Sequence, residues 1–284
     1  MSAPTAARPA AATTSRPVGR RHRPFRARAF PGAAAVSFVA LAFLYVPMAV
    51  VVVLSFNAGE RALIWEGFST VWFGRVLGNA DLVEATLVSL RLATAATVLA
   101  TVMAVGIALV LDRWGRRGSG IALALIGAPL VIPEVVLGVA TLGFIRLWGL
   151  APGFLALLLA HTTFCIPFAL LPVRARLSQL DPAYVEAAQD LGASAGRTVR
   201  RVLLPLLMPG IVSGALLAFI ISLDDVIISS FLSAAGSTTL PIYLFGLVRK
   251  GVSPGVNAVA TLLLLLSVVV VTVSYLLTRK RTAS

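Results

Sequence analysis

Apolar residues in this chain run in long unbroken stretches instead of alternating with polar ones. About 20 consecutive apolar residues are needed to cross the hydrocarbon core of a bilayer. Six segments reach that length, at residues 32–54, 86–111, 119–145, 153–172, 208–232 and 255–278. The pattern predicts an all-α integral membrane protein with six transmembrane helices. The third run contains Pro129, Pro133 and Glu134, so a kink or break is expected there, because proline lacks the N–H that a helix interior needs. An even number of spans puts both termini on one side. Between spans, residues 55–85 carry Trp65, Trp72 and Phe73 among polar residues, which suits an element lying at the membrane interface. Residues 146–152 are little more than a turn, whereas 233–254 are long enough to hold structure.

Composition agrees with this reading. The chain is 58% hydrophobic and 12% charged, against about 45–50% and about 25% in soluble domains, and its mean hydropathy is +0.95. One soluble core and disorder throughout are both excluded. The net charge of +13 would point to nucleic acid in a soluble protein. Here 18 of the 24 basic residues fall on the side of the termini. They lie in the arm, the 112–118 loop, the 173–207 loop and the tail. By the positive-inside rule, both termini of this multi-pass membrane protein are expected in the cytoplasm, with no role in nucleic-acid binding. The domain organisation expected is a disordered basic arm at 1–30, a six-span domain at 31–279 and a cytoplasmic tail at 280–284. The arm has seven Arg, no acid and four Pro; its composition also resembles a transit peptide, but the apolar run after it is too long for a signal-peptide core.

The cytoplasmic loop at 173–207 is the most informative stretch. Asp181-Pro182 is a helix start, with Asp as cap and Pro at the first position. The helix is expected to stop at Gly192, with Leu180, Tyr184, Ala188 and Leu191 along one face. Ser194 is expected to cap a second short helix ending near Leu204-Pro205. A short helix with alanines in its middle fits a groove on a partner protein; the alternative is a helix resting on lipid. Glu186-Ala187-Ala188, three residues, Gly192, nine residues and Val202-Leu203-Leu204-Pro205 resemble the EAA loop of ATP-binding-cassette (ABC) importer permeases, with Val202 in place of the usual Ile. The resemblance covers about residues 32–278 and implies the type I ABC importer permease fold. It also implies that Glu186, Ala187, Ala188, Gly192 and Pro205 belong to a coupling element docking on a separate ATPase dimer. The implied partners are that ATPase, a second related permease subunit, an extracytoplasmic solute-binding protein and the bilayer. No G-x-x-x-x-G-K-[ST] loop surrounds either lysine, Lys250 or Lys280, so no cofactor is expected in this chain. ATP and Mg would be bound by the partner, and the chain is expected to be a transport subunit with no catalytic residues of its own.

Three acids, Glu134, Asp224 and Asp225, lie in apolar runs. A charge at the centre of a transmembrane helix costs about 2.5–3.5 kcal/mol on insertion scales, which makes such positions candidates for function. Counted from Pro209, Asp224 is roughly 22 Å along a helix, in the outer part of the membrane. Three acids there would attract a cation. Adjacent helical residues point about 100° apart, so one of the two Asp can instead pair with Arg91, Arg146 or a helix terminus, and Glu134 can cap the break at Pro133. The segments Ser222-Leu223-Asp224-Asp225, Pro133 to Gly138, Ser55-Phe56-Asn57 and Thr238 to Tyr243 resemble the polyamine branch of these permeases, which implies spermidine or putrescine as cargo. Permeases for other organic cations, iron or phosphonates share such segments, and an ion-coupled secondary transporter remains an alternative. One Cys and two His give no metal cluster. His161 reads as a helix-packing donor, Gly210-x3-Gly214 reads as a close helix contact, and no Ser/His/Asp set suggests a protease.

Overall fold

The computed structural model describes residues 32–113, 115–251, 253–265, 268 and 272. The expected arm at 1–30, the tail at 280–284 and most of 266–278 in the sixth run lie outside the described residues. No strand occurs among the described residues beyond a single bridge between Asn57 and Phe68. Two compact units are distinguished, one ending at Ala49 and one beginning at Val50. Helix α1, Ala33–Ser55, supplies the described part of the first unit, and its membrane-length stretch is apolar and unburied.

The second unit is built on α3 (Ala80–Arg113), α6 (Phe154–Leu177) and α9 (Leu204–Asp224). Alanines at 100, 104 and 108 of α3 recur every fourth residue and are buried. They make a seam of small side chains on which Cys165, Ala169, Leu170 and Val173 of α6 and Ala218 of α9 pack. Such seams let transmembrane helices approach closely. Gly210 and Gly214 complete the contact from the other side. A Cβ on Gly210 would stand 2.7 Å from Cβ of Arg176, and one on Gly214 would collide with the carbonyl oxygen of Ala169. The close helix contact expected of this pair is therefore the α6–α9 crossing.

Two expected spans are interrupted. The 119–145 run forms α4 (Gly115–Gly127), a short 3-10 turn at Ala128–Leu130 and α5 (Glu134–Leu147), with a bend of 102° between its two arms. Pro133 stands just before α5 in an extended conformation, and without an N–H to donate it cannot continue the preceding helical turn. The 208–232 run corrects the expectation of one continuous helix. It stops at Asp224, Asp225 is extended with ψ 123°, and α10 resumes at Ile227–Leu232. The second correction concerns the loop before α9. The helix beginning at Ala195 does not end near Pro205; it passes through a π turn at Val199–Leu203 into α9. Pro205 cannot donate to the preceding turn, and the wider π turn accommodates that loss without ending the helix.

The remaining described helices are α2 (Val71–Leu77), α7 (Ala183–Asp190), α8 (Ala195–Thr198), α11 (Leu240–Lys250) and α12 (Pro254–Leu265). The 55–85 segment is ordered by Asn57, which is fully buried. Its amide donates to the carbonyls of Arg61 and Ile64 and accepts from the N–H of Glu66. Phe56 stacks on Phe68 and leans on Phe73.

Candidate functional site

Both helix breaks open onto the same place. Glu134 at the start of α5, Asp224 at the end of α9 and Asp225 in the following break line one cavity of about 370 Å³, together with Phe164, Ile220 and Ile227. The three acids picked out in the sequence are thus brought together, although they arise from two apolar runs some 90 residues apart. A helix break is a natural site for this, because unwound backbone in a membrane is tolerated where it lines a cavity.

The two adjacent aspartates are not equivalent. Because the helix ends at Asp224, their side chains do not follow helical spacing as expected. Asp224 is exposed. Asp225 is 6% exposed; its Oδ1 accepts the N–H of Ile228 at 3.2 Å and its Oδ2 the N–H of Ser229 at 2.8 Å. It caps α10, satisfying two of the N–H groups that every helix start leaves unpaired. Of the pairings open to it in the sequence, the helix terminus is the one observed. Glu134 opens α5 without a side-chain cap on that helix.

His161 of α6 was read as a packing donor and is one, with partners that no sequence pattern indicated. Its Nδ1 lies 2.9 Å from Ser222 Oγ on α9, and its Nε2 lies 3.0 Å from Ser229 Oγ on α10 and 3.4 Å from Asp225 Oδ2. Neither serine lines the acid cavity; both are buried, which suits a clip between helices and not a nucleophile. The α5–α10 contact is also close. Gly138, one turn beyond Glu134, lies against Phe231, and a Cβ at 138 would stand 2.5 Å from its ring. A second hollow of about 290 Å³ is lined by Asp81, Glu84, Thr238 and Tyr243; its two acids precede the apolar run at 86–111, so hydropathy does not single them out.

The loop signature has the opposite character. Asp181 Oδ1 accepts the N–H of Ala183 at 2.9 Å, so the expected Asp cap is in place. Gly192 has φ +76°, the left-handed conformation that favours glycine. The N–H of Gly192 donates to the Gln189 carbonyl and that of Ala193 to the Ala188 carbonyl. This is the paired Schellman closure of a helix. Ser194, by contrast, makes no side-chain cap; its carbonyl accepts the N–H of Thr198 instead. No residue of α7 is buried. Glu186 and Ala187 are exposed and Ala188 is half-buried, Tyr184 is exposed, and Leu191 is 89% exposed.

Residues 96–283 match the family model described as "Binding-protein-dependent transport system inner membrane component". The chain belongs to this family. It is therefore a multi-pass membrane permease subunit of an ABC importer, working with an ATPase and the other components of such a system and not itself an enzyme. Among curated relatives, the spermidine/putrescine transport system permease protein PotC of Haemophilus influenzae is 41% identical over 87% of this chain and 96% of its own length. The putrescine transport system permease protein PotI of Escherichia coli is 43% identical over 78% and 82%. Among solved structures, a chain of a bacterial ABC transporter that imports the acidic polysaccharide alginate superposes with a TM-score of 0.66. It is 18% identical, over 87% of this permease and 94% of that chain. A chain of the MetNI methionine transporter gives 0.56 at 23% identity, over 68% and 92%. These two likenesses speak to the fold alone.

Proposed function

We propose that this permease imports polyamines, with spermidine and putrescine as the cargo class, and that Glu134, Asp224 and Asp225 form the acidic lining of the path. The observation that carries this reading is the convergence of the three acids on one cavity at two helix breaks. A polyamine carries two or more ammonium groups on a flexible apolar stem. A cavity with three acidic side chains and walls of Phe164, Ile220 and Ile227 offers both kinds of contact. The names of the relatives at 41% and 43% identity agree with that cargo.

The coupling half of the proposal rests on α7. In this reading Glu186, Ala187, Ala188 and Gly192 form the element that meets the ATPase, with Pro205 at the root of the following helix. Its exposed Tyr184 and Leu191 are apolar surface suited to a partner's groove. The working assembly is this chain, a second related permease, two ATPase copies that bind ATP and Mg, and an extracytoplasmic binding protein. Both termini, with the 1–30 arm and the 280–284 tail, then lie in the cytoplasm, and 31–279 form the membrane domain. ATP binding closes the ATPase pair, α7 follows, and the spans turn outward to receive cargo. For ATP to drive this change, it must bind the two states with different affinity. The test is uptake of labelled spermidine by the assembled transporter in proteoliposomes. Glu134→Gln with Asp224→Asn should abolish most uptake while the subunit stays assembled, and unchanged uptake would sink the cargo assignment.

A further inference from the structure

We propose that His161 is a positioning residue for the cargo cavity and that Asp225 is its anchor, leaving Asp224 and Glu134 as the carboxylates that meet the cargo. The inference rests on the reading of the cavity given above and divides the work among its three acids. Both oxygens of Asp225 are occupied by N–H groups at the start of α10, Oδ2 also faces the imidazole, and the Glu134 side chain reaches the same carboxyl from across the cavity. A carboxylate answered in this way has little left to offer an ammonium group. Asp224 is exposed and accepts no hydrogen bond among the described residues.

One imidazole ring meets three successive parts of the broken helix. From α6 it reaches Ser222 in the last turn of α9, Asp225 in the break and Ser229 in α10, and it is itself 2% exposed. A carboxylate beside Nε2 favours the tautomer with its proton there, in which Nδ1 accepts from the Ser222 hydroxyl. The break therefore cannot shift relative to α6 without leaving buried polar groups unpaired, which is costly in a medium without water. The effect extends to the other side of the cavity. α10 carries Phe231, whose ring packs on Gly138 of α5, and Glu134 lies one turn before Gly138. Holding α10 thus holds the placement of both Asp224 and Glu134.

The experiment uses the complete transporter in proteoliposomes, with putrescine and spermidine as separate probes and rates normalised to assembled complex. His161→Leu and Asp225→Asn should each lower maximal uptake about tenfold, the size of one lost charge-assisted hydrogen bond, by the same factor for both cargoes. Combined, they should be no worse than the worse single change, as expected of two members of one network. His161→Gln restores a donor and an acceptor and should recover most of the rate. Asp224→Asn should lower spermidine uptake more than putrescine uptake, since the triamine has one more charge to place.

Multiplying effects of the 161 and 225 changes would overturn the proposal, as would an Asp225→Asn defect that discriminates between cargoes as Asp224→Asn does. Gln at 161 behaving no better than Leu would overturn it too. If Leu at 161 prevents assembly, Ser222→Ala and Ser229→Ala replace it. Equal few-fold losses for the two cargoes would support the clip, and cargo-dependent losses or none would overturn it. Unchanged uptake in both Asp224→Asn and Glu134→Gln overturns the cargo cavity itself and the positioning role with it. That failure is recognisable because the non-additivity of 161 and 225 would persist.

Discussion

The acid cavity and the α7 loop solve opposite problems. Around the cavity, polar groups are answered from within the chain. Asp225 takes two N–H groups, His161 takes two serines, and Gly138 admits Phe231. Along α7 the only satisfied groups are those the helix needs to begin and end, at Asp181 and Gly192, and its side chains face outward. The cavity is preorganised by its own fold, whereas the loop is a finished shape awaiting a surface. This contrast teaches where damage should be felt. Changes at the two cargo-facing acids, Glu134 and Asp224, should depend on the cargo, and changes at the loop should depend on the ATPase and be blind to the cargo.

The largest expected effect is at the cavity. Removing both carboxyl groups assigned to the cargo, with Glu134→Gln and Asp224→Asn together, should cost at least about 100-fold in spermidine uptake, taking about 1.5–3 kcal/mol for each interaction with a charged group. Putrescine should suffer less, and equal losses for both cargoes would erase the distinction between the two regions. Next comes the loop. Gly192→Val forces a β-branched residue into the left-handed region, where even an ordinary residue loses about 1–2 kcal/mol. Uptake should fall about tenfold for either cargo with the subunit still in the membrane, and an unaltered rate would remove α7 from the coupling path.

A smaller effect tests the packing that supports the cavity. Gly138→Ala puts a methyl group against Phe231. Overpacking of this kind costs about 1–3 kcal/mol, which should appear as a lower unfolding temperature of the complex in detergent and a modest loss of rate. Smallest of all is Leu191→Ala. Because that side chain is exposed, thermal stability of the permease should not change, while binding of the ATPase should weaken by several-fold. A loss of stability without weaker ATPase binding would show that Leu191 packs at home.

Much of this was legible in the chain, for reasons that differ by residue. The Asp181 cap and the Gly192 stop are local, set by neighbours within a few positions, and both stand where the sequence put them. The bend at Pro133 follows from a missing N–H. The break at Asp225 was not legible, because hydropathy reports that residues 208–232 are apolar and is silent on whether they form one helix. The π turn before Pro205 is similar, since proline announces a lost hydrogen bond but not whether the helix ends or widens. His161 could be read only as a donor without partners, because Ser222, Asp225 and Ser229 come to it from 61 or more positions away.

The most direct measurement is the number of ATP molecules hydrolysed per cargo molecule imported, taken for spermidine and for putrescine in the same proteoliposomes. It should be made for the native transporter, for Glu134→Gln with Asp224→Asn, and for Gly192→Val. The loop variant should raise the ratio by the same factor for both cargoes, and the cavity variant should raise it more for spermidine. A cargo-dependent rise in Gly192→Val, or a cargo-independent one in the cavity variant, would contradict the division of labour between the two regions.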